Sequence, residues 1–128
     1  MNDLYVNNCL FDSDIIIESP GVLGVSEVVF TDNSFNLSGL TVSAATFINS
    51  NISNNVGNGP FDINIGNRAT DIVCSNNRMR DINISGLLDC SIVSGNTGRD
   101  IIFEDVVDSV ISDNTVNLTT FLFLFLLG

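Results

Sequence analysis

Two sets of regularly spaced aspartates are the residues of this sequence best placed to do chemistry. The first set is Asp62, Asp81 and Asp100, and the second is Asp71, Asp89 and Asp108. If the chain folds as stacked coils with that spacing, neighbours in one set lie about 5 Å apart, the spacing of adjacent strands. Glycoside hydrolysis requires two carboxylates about 5 to 10 Å apart. Stacked carboxylate oxygens can also hold Ca²⁺.

A structural role for these aspartates competes with both chemical roles. Each begins a strand, where turns favour aspartate. Arg80 and Arg99 stand next to Asp81 and Asp100 and could pair with them. The structural role is the favoured one of the three. We therefore predict no catalytic residue and no required cofactor. Calcium binding and an enzymatic activity stay open as alternatives.

The charge balance excludes several classes of partner. The 128 residues carry 15 acidic side chains against four basic ones, a net charge of −11. Nucleic acid is excluded as a partner because phosphate binding requires a basic surface. An anionic membrane surface is disfavoured for the same reason. No apolar run approaches the length of about 20 residues that a membrane-spanning helix needs, so no transmembrane segment is expected.

The cysteines and the amino terminus limit the chemistry further. Cys9, Cys74 and Cys90 are odd in number and lack metal-ligand spacing, and the chain has no histidine. We expect free, buried thiols. The first residues, Met1–Leu4, show no basic segment followed by an apolar one, so no secretory signal is expected. A location on a virion or outside a cell would then be reached through assembly or lysis.

An internal repeat dominates the sequence. Its consensus is a short apolar strand, a small polar residue, Asn, Asp or Gly, and then Asn. Three of the four steps between its five copies are about 17 to 19 residues long. The long step, from the second copy to the third, includes an apparent inserted loop at 54–60. The copies are Val28–Phe35, Ala45–Ile52, Ile72–Met79, Ser91–Gly98 and Ser109–Val116.

A second series of strands runs in phase with the first. Asp62–Ile65, Asp81–Ile84 and Asp100–Phe103 begin at equal intervals along the chain. Coils that cannot bury their own apolar faces do so by stacking. We therefore predict an all-β, right-handed, single-stranded parallel β-helix of about five to six coils of 18 to 19 residues. It would occupy residues 1–118, with an apolar capping and oligomerisation segment at 119–128.

Strand alternation sorts the consensus into inward and outward positions. The third positions, Phe30, Phe47, Cys74, Val93 and Ile111, are expected inside. The asparagines that follow are expected at a turn, where they tolerate left-handed backbone and hydrogen-bond between coils. This predicts a structural ladder rather than a row of glycan contacts. Its members are Asn33, Asn77, Asn96 and Asn114, with Ser50 in that place once.

The position between the inward residues forms an apolar stripe on the outside. Exposed apolar stripes usually mark an interface, and a three-fold axis beside this face would bury the stripe in all copies. The alternative is that the inward and outward positions are exchanged, so that these residues point into the core, or that a loop covers the stripe. The positions are Val29, Thr46, Val73, Ile92 and Val110, of which we take the four aliphatic ones as the proposed oligomer interface.

The carboxyl-terminal segment is the strongest local signal. Seven consecutive residues, 121–127, are Phe or Leu. A lone exposed strand of this kind would aggregate, so it must be buried. The favoured interpretation is a cap that drives oligomerisation through Phe121, Phe123 and Phe125. A cap within one chain, or a tail inserted into a membrane or partner, is the alternative.

The coil pattern resembles the parallel β-helix repeats of the pectate-lyase-like superfamily, and within it the trimeric tailspikes and fibres of viruses. The resemblance covers residues 28–116 and rests on the period and on turns such as Ser112-Asp113-Asn114. It implies a homotrimeric, non-catalytic module that binds host-surface polysaccharide. The alternative is a polysaccharide-degrading lyase or glycosidase, or a fragment of one. No catalytic signature accompanies the resemblance, so the role is carried by analogy.

Overall fold

The computed structural model describes residues 2–19, 24–36 and 38–123, the last seven by their backbone alone. These residues contain no helix. They form thirteen strands: β1 (Asn2–Asn7), β2 (Leu10–Phe11), β3 (Ile15–Glu18), β4 (Val25–Thr31), β5 (Ser34–Phe35), β6 (Leu40–Ser53), β7 (Val56–Gly57), β8 (Pro60–Ser75), β9 (Asp81–Asp89), β10 (Ile92–Ser94), β11 (Thr97–Val107), β12 (Val110–Ser112) and β13 (Thr115–Phe123).

Every strand pair among these residues is parallel, and the chain winds as a stack of coils. The large sheet runs in the order β1-β4-β6-β8-β9-β11-β13, and a small sheet pairs β2, β5 and β7. Parallel neighbours that follow each other along the chain require a crossover, which here is the remainder of one coil. The prediction of an all-β parallel solenoid is confirmed, with about five turns. Its right-handed sense stays a prediction.

The coil length changes along the stack. Equivalent residues lie 24, 22, 22, 19 and 18 positions apart from the amino to the carboxyl end. The predicted period of 18 to 19 is therefore right for the last two steps and wrong for the first three. A single period cannot describe a stack in which some coils carry extra residues.

Because of this variation, the predicted alignment is wrong for one copy of the repeat. Phe47 is buried as predicted, but it pairs with Val25 and Ala69. Ile52 is the residue that lies between Phe30 and Cys74. The expected loop at 54–60 is also wrong, since this segment forms an ordinary turn and the strand β7. The short step before this copy and the long step after it are in fact two equal steps.

The predicted second series is shifted in one coil as well. Asp81 pairs with Asp100 as expected, but Asp62 pairs with Asn83, and Pro60 takes the place opposite Asp81. The first aspartate set is therefore a pair and not a column of three. Strand β8 is longer than strand β9. Sequence spacing alone does not show at which end of β8 the additional residues lie.

Two columns of left-handed residues turn the chain twice in every coil. These positions have φ between 46° and 65°, a region that Asn, Asp and Gly tolerate best. The column that we name the acidic corner contains Asp3, Glu27, Asn49, Asp71, Cys90 and Asp108. The column that we name the amide corner contains Asn8, Asp32, Asn54, Asn76, Gly95 and Asp113.

The coil between the two corners consists of two unequal parts. The short face runs from the acidic corner to the amide corner, and the corner residues are five positions apart in each of the six coils. The long path returns from the amide corner to the acidic corner. It bends between the small sheet and the long strands, at 12–13, 58–59 and 80, and again at register shifts near 44–46, 64–68 and 103–105. We name the bend at these register shifts the third corner.

The core is one continuous column of apolar side chains inside the coils. Phe30, Ile52, Cys74 and Val93 stack directly above one another, and each is fully buried. At the amino-terminal end, three phenylalanine rings stack with centroids 5.2 to 5.9 Å apart. Ile111, predicted inside, is only half-buried. Each coil contributes to one shared core, so removal of any coil exposes two neighbours.

The cysteines differ from the expectation of three buried thiols. All three are free, but only Cys74 is buried, and Cys9 and Cys90 are exposed. Burial raises the pKa of the Cys74 thiol to about 12, because the apolar surroundings disfavour the thiolate. Cys74 therefore acts as a small core residue.

Candidate interaction surfaces

The apolar stripe lies on the short face and runs along the whole stack. Strand pairing places Tyr5, Val29, Asn51, Val73, Ile92 and Val110 above one another. Tyr5, Ile92 and Val110 are 69%, 44% and 56% exposed, and Val29 and Val73 are half-buried. The four predicted aliphatic residues therefore share one outward column.

Two members of the stripe differ from the prediction. Thr46 does not belong to it, because it pairs with Arg68 on the long path; Asn51 stands there instead. Tyr5 is an additional member, which the alternation of Leu4, Tyr5 and Val6 in the sequence could have revealed. The stripe is thus aliphatic or aromatic except at one central amide.

An asparagine ladder fixes the inside of the amide corner. In the first rung, the Oδ1 of Asn33 accepts a hydrogen bond from the backbone N–H of Cys9 at 3.0 Å. In each later rung, the side-chain Oδ1 accepts hydrogen bonds from the backbone N–H and the Nδ2 of the asparagine one coil earlier, at 2.9 to 3.1 Å. Each Nδ2 also donates to a backbone carbonyl. The rungs are Asn33, Asn55, Asn77, Asn96 and Asn114.

The ladder brings together all four predicted asparagines and adds Asn55. Ser50, which the sequence alignment assigns to this column, lies elsewhere. Asn33, Asn77 and Asn96 are at most 1% exposed, and their amide groups are occupied by partners inside the protein. The geometry is that of a structural element and leaves no free amide on these three residues for a glycan.

A second ladder, built from serines, supports the acidic corner. Ser50 Oγ accepts from the backbone N–H of Val28, and Ser91 Oγ accepts from that of Ile72, both at 3.1 Å. Ser109 Oγ accepts from the N–H of Ser91 at 3.0 Å. Each hydroxyl donates to the carbonyl two residues earlier. This ladder gives no distinct signal in the sequence, because serine is common throughout the chain.

The aspartates of the first set are engaged by arginine and amide side chains. Asp81 Oδ2 lies 2.8 Å from Arg80 Nε, and Asp81 Oδ1 lies 3.1 Å from Arg99 Nη2. Asp100 Oδ2 lies 3.3 Å from Arg99 Nε. Asp62 accepts a hydrogen bond from Asn83 at 2.7 Å.

The second set is divided between two environments. Asp71 and Asp108 are exposed at the acidic corner, and Cys90 stands between them in the column. Asp89 is buried and forms an ion pair with Arg68. Within residues 2–19, 24–36 and 38–123, no three acidic or thiol side chains converge closely enough to hold a metal ion.

Two side chains at the acidic corner have raised pKa values. The pKa of Glu27 is raised above its ordinary value by a hydrogen bond with Asp3 and by the charge of Asp3. The pKa of the Cys90 thiol is raised by a hydrogen bond to Asp89, by the charge of Asp89, and then by Asp71 and Asp108. Both shifts arise because a nearby negative charge disfavours a second one.

Three of the four cationic residues of the protein gather in one shallow pocket. We name it the arginine pocket; it has a volume of about 370 Å³ and lies just beyond the amide corner on the long path. Arg80 and Arg99 are held from below by Asp81 and are about half exposed. Arg78 forms no ion pair with any residue that the structure describes. The lining includes Asn58, Met79, Thr97, Arg78, Arg80 and Arg99.

A larger polar groove follows the third corner. It has a volume of about 770 Å³, and its floor consists of small residues such as Ala45 and Gly66. The groove is lined by residues of the long path and the apolar stripe lies on the short face, so the two surfaces share no residue. The walls of the groove offer a carboxylate, hydroxyls and amides from Glu18, Ser43, Asn64, Asn67 and Ser85.

The apolar carboxyl-terminal segment is described only in part. Strand β13 pairs with β11, with Phe121 opposite Ile101 and Phe123 opposite Phe103. The backbone to residue 123 therefore continues the stack past the predicted boundary at 118. Phe125 lies outside the described residues, and the capping role stays a prediction.

Comparisons with known proteins match this chain to no family model, no curated protein and no solved structure. Among the described residues, no helix is long and apolar enough to cross a membrane. The arguments about function therefore rest on the geometry of the surfaces.

Proposed function

We propose that this protein is a non-catalytic structural module that assembles as a homotrimer and presents a groove to host-surface glycan. This is the role that viral spikes and fibres of similar coil pattern have. The observation that carries the proposal is the apolar stripe, which follows one face through every coil. The arginine-paired aspartates support the non-catalytic part.

The shape of the stripe supports a cyclic assembly. It is narrow, straight and parallel to the stack, and three of its members are more than two-fifths exposed. A symmetry axis parallel to the stack would bury the stripe in every coil at once, whereas a crossing contact would bury it at one point. Closed cyclic symmetry is the usual arrangement of soluble homo-oligomers. Three copies around the axis leave the third corner of each copy on the outside.

The polar groove supports the glycan part of the proposal. Sugar hydroxyls require both donors and acceptors, and the groove provides these through Ser43, Asn64 and Ser85. Ser85 Oγ donates to Asn64 Oδ1 at 3.2 Å, which orients the amide. The groove lies away from the stripe and would stay open in the trimer.

The mass of the protein in solution tests the assembly. We expect light scattering to give three times the chain mass for the wild type. The double variant Ile92→Asp, Val110→Asp should be monomeric, because it places charges in the contact. Ile16→Asp is the matched control, since Ile16 is 59% exposed on the long path and should leave the trimer intact. A wild type that is monomeric contradicts the proposal.

A glycan array tests the groove. We expect the wild type to retain one class of host-surface polysaccharide and Asn64→Ala to lose it without a change in mass. Ser13→Ala, exposed and outside both the groove and the arginine pocket, is the control. Release of reducing ends from the bound polysaccharide would contradict the non-catalytic assignment.

A further inference from the structure

In the coil that contains Asp71 and Arg78, opposite charges lie on the two sides of the apolar stripe. Within one coil, the chain passes from the acidic corner through the short face to the amide corner and then to the arginine pocket. Asp71, Val73, Asn76 and Arg78 follow one another in this order. In this coil, acid therefore lies on one flank of the stripe and arginine on the other, whereas Asp32 and Asp113 are acids at the amide corner of other coils.

The two flanks are also matched in height along the stack. Asp71 and Arg78 belong to one coil, and Cys90 and Arg99 belong to the next. One coil rises about 4.8 Å, so Arg78 lies within a fraction of a coil of the level of Asp71, and Arg99 lies about one coil from the level of Asp108. A rotation about an axis parallel to the stack preserves these heights.

Residues on both flanks of the stripe can form further ion pairs or hydrogen bonds. Asp71 and Asp108 form no ion pair with any described residue, and neither does Arg78. Arg80 and Arg99 each engage neighbouring aspartates, but a guanidinium has five N–H donors, and both remain about half exposed.

We propose that the arginine pocket of one copy receives the acidic corner of the next copy around the three-fold axis, with Arg78, Arg80 and Arg99 facing Asp71 and Asp108. This inference rests on the proposed homotrimer and specifies how its copies pair. The contact is heterologous, because each copy offers a different flank to each neighbour, and such contacts close into rings. The occupant of the pocket is thus a second copy of this chain.

The charge balance favours this occupant over a free anion. A chain of net charge −11 repels soluble polyanions, and three arginines are few against 15 acids. A second copy brings its carboxylates to the pocket together with the apolar stripe, so burial of the stripe offsets the repulsion between the copies. Electrostatic complementarity of this kind fixes register and orientation at an interface.

Covalent cross-linking tests the pairing directly. In a Cys9→Ser background, Cys90 is the exposed native thiol, and Arg78→Cys adds one in the arginine pocket. The two corners of one chain are five residues apart, about 16 Å along an extended strand, which is too far for a direct bond between two cysteines. We expect a short bismaleimide to produce covalent trimers on a denaturing gel. Asn64→Cys, in the polar groove, is the control and should give only background.

The outcomes separate this inference from the proposed function. Covalent trimers support the heterologous pairing. A trimer by light scattering without cross-links above the control overturns the inference and leaves the proposed function standing. Covalent dimers alone indicate an isologous contact and also overturn it. A monomeric wild type overturns the proposed function and the inference together.

Charge exchange provides a second test that does not depend on cysteine chemistry. Arg78→Glu alone, or Asp71→Arg with Asp108→Arg, should raise the dissociation constant of the trimer by at least about tenfold. The chain with all three changes should recover most of the lost affinity, because the charges on both sides of every interface are then exchanged. Equal affinity of all variants would overturn the pairing.

Discussion

The short face and the long path of each coil are built under different constraints. Corner residues on the short face are five positions apart in every coil, as with Asp71 and Asn76. The long path takes up all of the variation in coil length. The asparagine and serine ladders hold both ends of the short face, whereas the long path has register shifts. Buried hydrogen-bond ladders fix length, and a bend without a ladder tolerates insertion.

This difference also explains where the two surfaces lie. The apolar stripe needs one residue per coil at a constant position, which only the short face provides. The polar groove lies at the bend, where β8 carries Gly66 and Asn67 as extra residues. Variation in coil length at the bend thus contributes to the groove.

Insertion of a single residue should give the largest difference between the short face and the long path. A glycine inserted between Val73 and Cys74 would reverse the side chains that follow it and remove a rung of the ladder. We expect a loss of more than about 4 kcal/mol in the free energy of unfolding. The same insertion between Gly66 and Asn67 should cost under about 1 kcal/mol. Urea denaturation measures both, and equal losses would contradict the assignment.

Loss of one ladder amide should have the next largest effect. Asn77→Ala leaves the N–H of Asn55 and the carbonyl of Ile52 without partners inside the core. We expect a loss of about 2 to 6 kcal/mol, since each buried unsatisfied group costs about 1 to 3 kcal/mol. Asn83→Ala on the long path loses one half-buried hydrogen bond and should cost under about 1 kcal/mol. Comparable denaturation midpoints for the two variants would refute the distinction.

Alkaline pH should destabilise the short face through Cys74. Its pKa rises from the ordinary 9.0 to about 12 on folding. Below 9.0 the thiol is neutral in both states, and above it only the unfolded state releases the proton, so stability falls as pH rises. At about pH 10.5 the loss is about 2 kcal/mol. Cys74→Val lacks this component, and parallel declines of wild type and variant would disprove the cause.

The smallest effect is expected at the acidic corner. The pKa of Glu27 is raised by Asp3, so the folded state disfavours its carboxylate. This penalty is absent below the unfolded pKa and appears as pH rises through the folded value. Glu27→Gln should therefore raise the melting temperature slightly at neutral pH and leave it unchanged at about pH 3. Asp3→Asn is the control background: with that neighbouring charge removed, Glu27→Gln should change the melting temperature no more at neutral pH than at about pH 3.

The fold was easier to predict from the sequence than the register. Apolar alternation and asparagine turns are sufficient for a parallel solenoid, and alternation alone puts Val73, Ile92 and Val110 on the outside. The predicted alignment of the copy at Ala45–Ile52 is five residues out, because Phe47 and Ile52 are both apolar and both fit the consensus. That misalignment hides Asn55, although Asn55 has the same kind of neighbours as Asn77.

The candidate surfaces were predictable only in part. The stripe follows from residues two apart, which strand alternation relates directly. The arginine pocket does not, because Arg78 and Arg80 meet Arg99 only when one coil lies on the next. Spacing suggests carboxylate pairs, and the actual ion partners of Asp81 and Asp89 depend on which strand is adjacent.

The sequence by itself determined that this chain stacks parallel coils, that an asparagine ladder lies inside them and that an apolar stripe lies outside. These features are local, because each arises from alternation and turn preference within about ten residues. The tertiary structure alone decided which coils are long, that Asn55 and Tyr5 complete their columns, and that acid and arginine flank the stripe. Those features depend on pairing between residues 18 to 24 positions apart, for which one sequence offers several alignments of nearly equal quality.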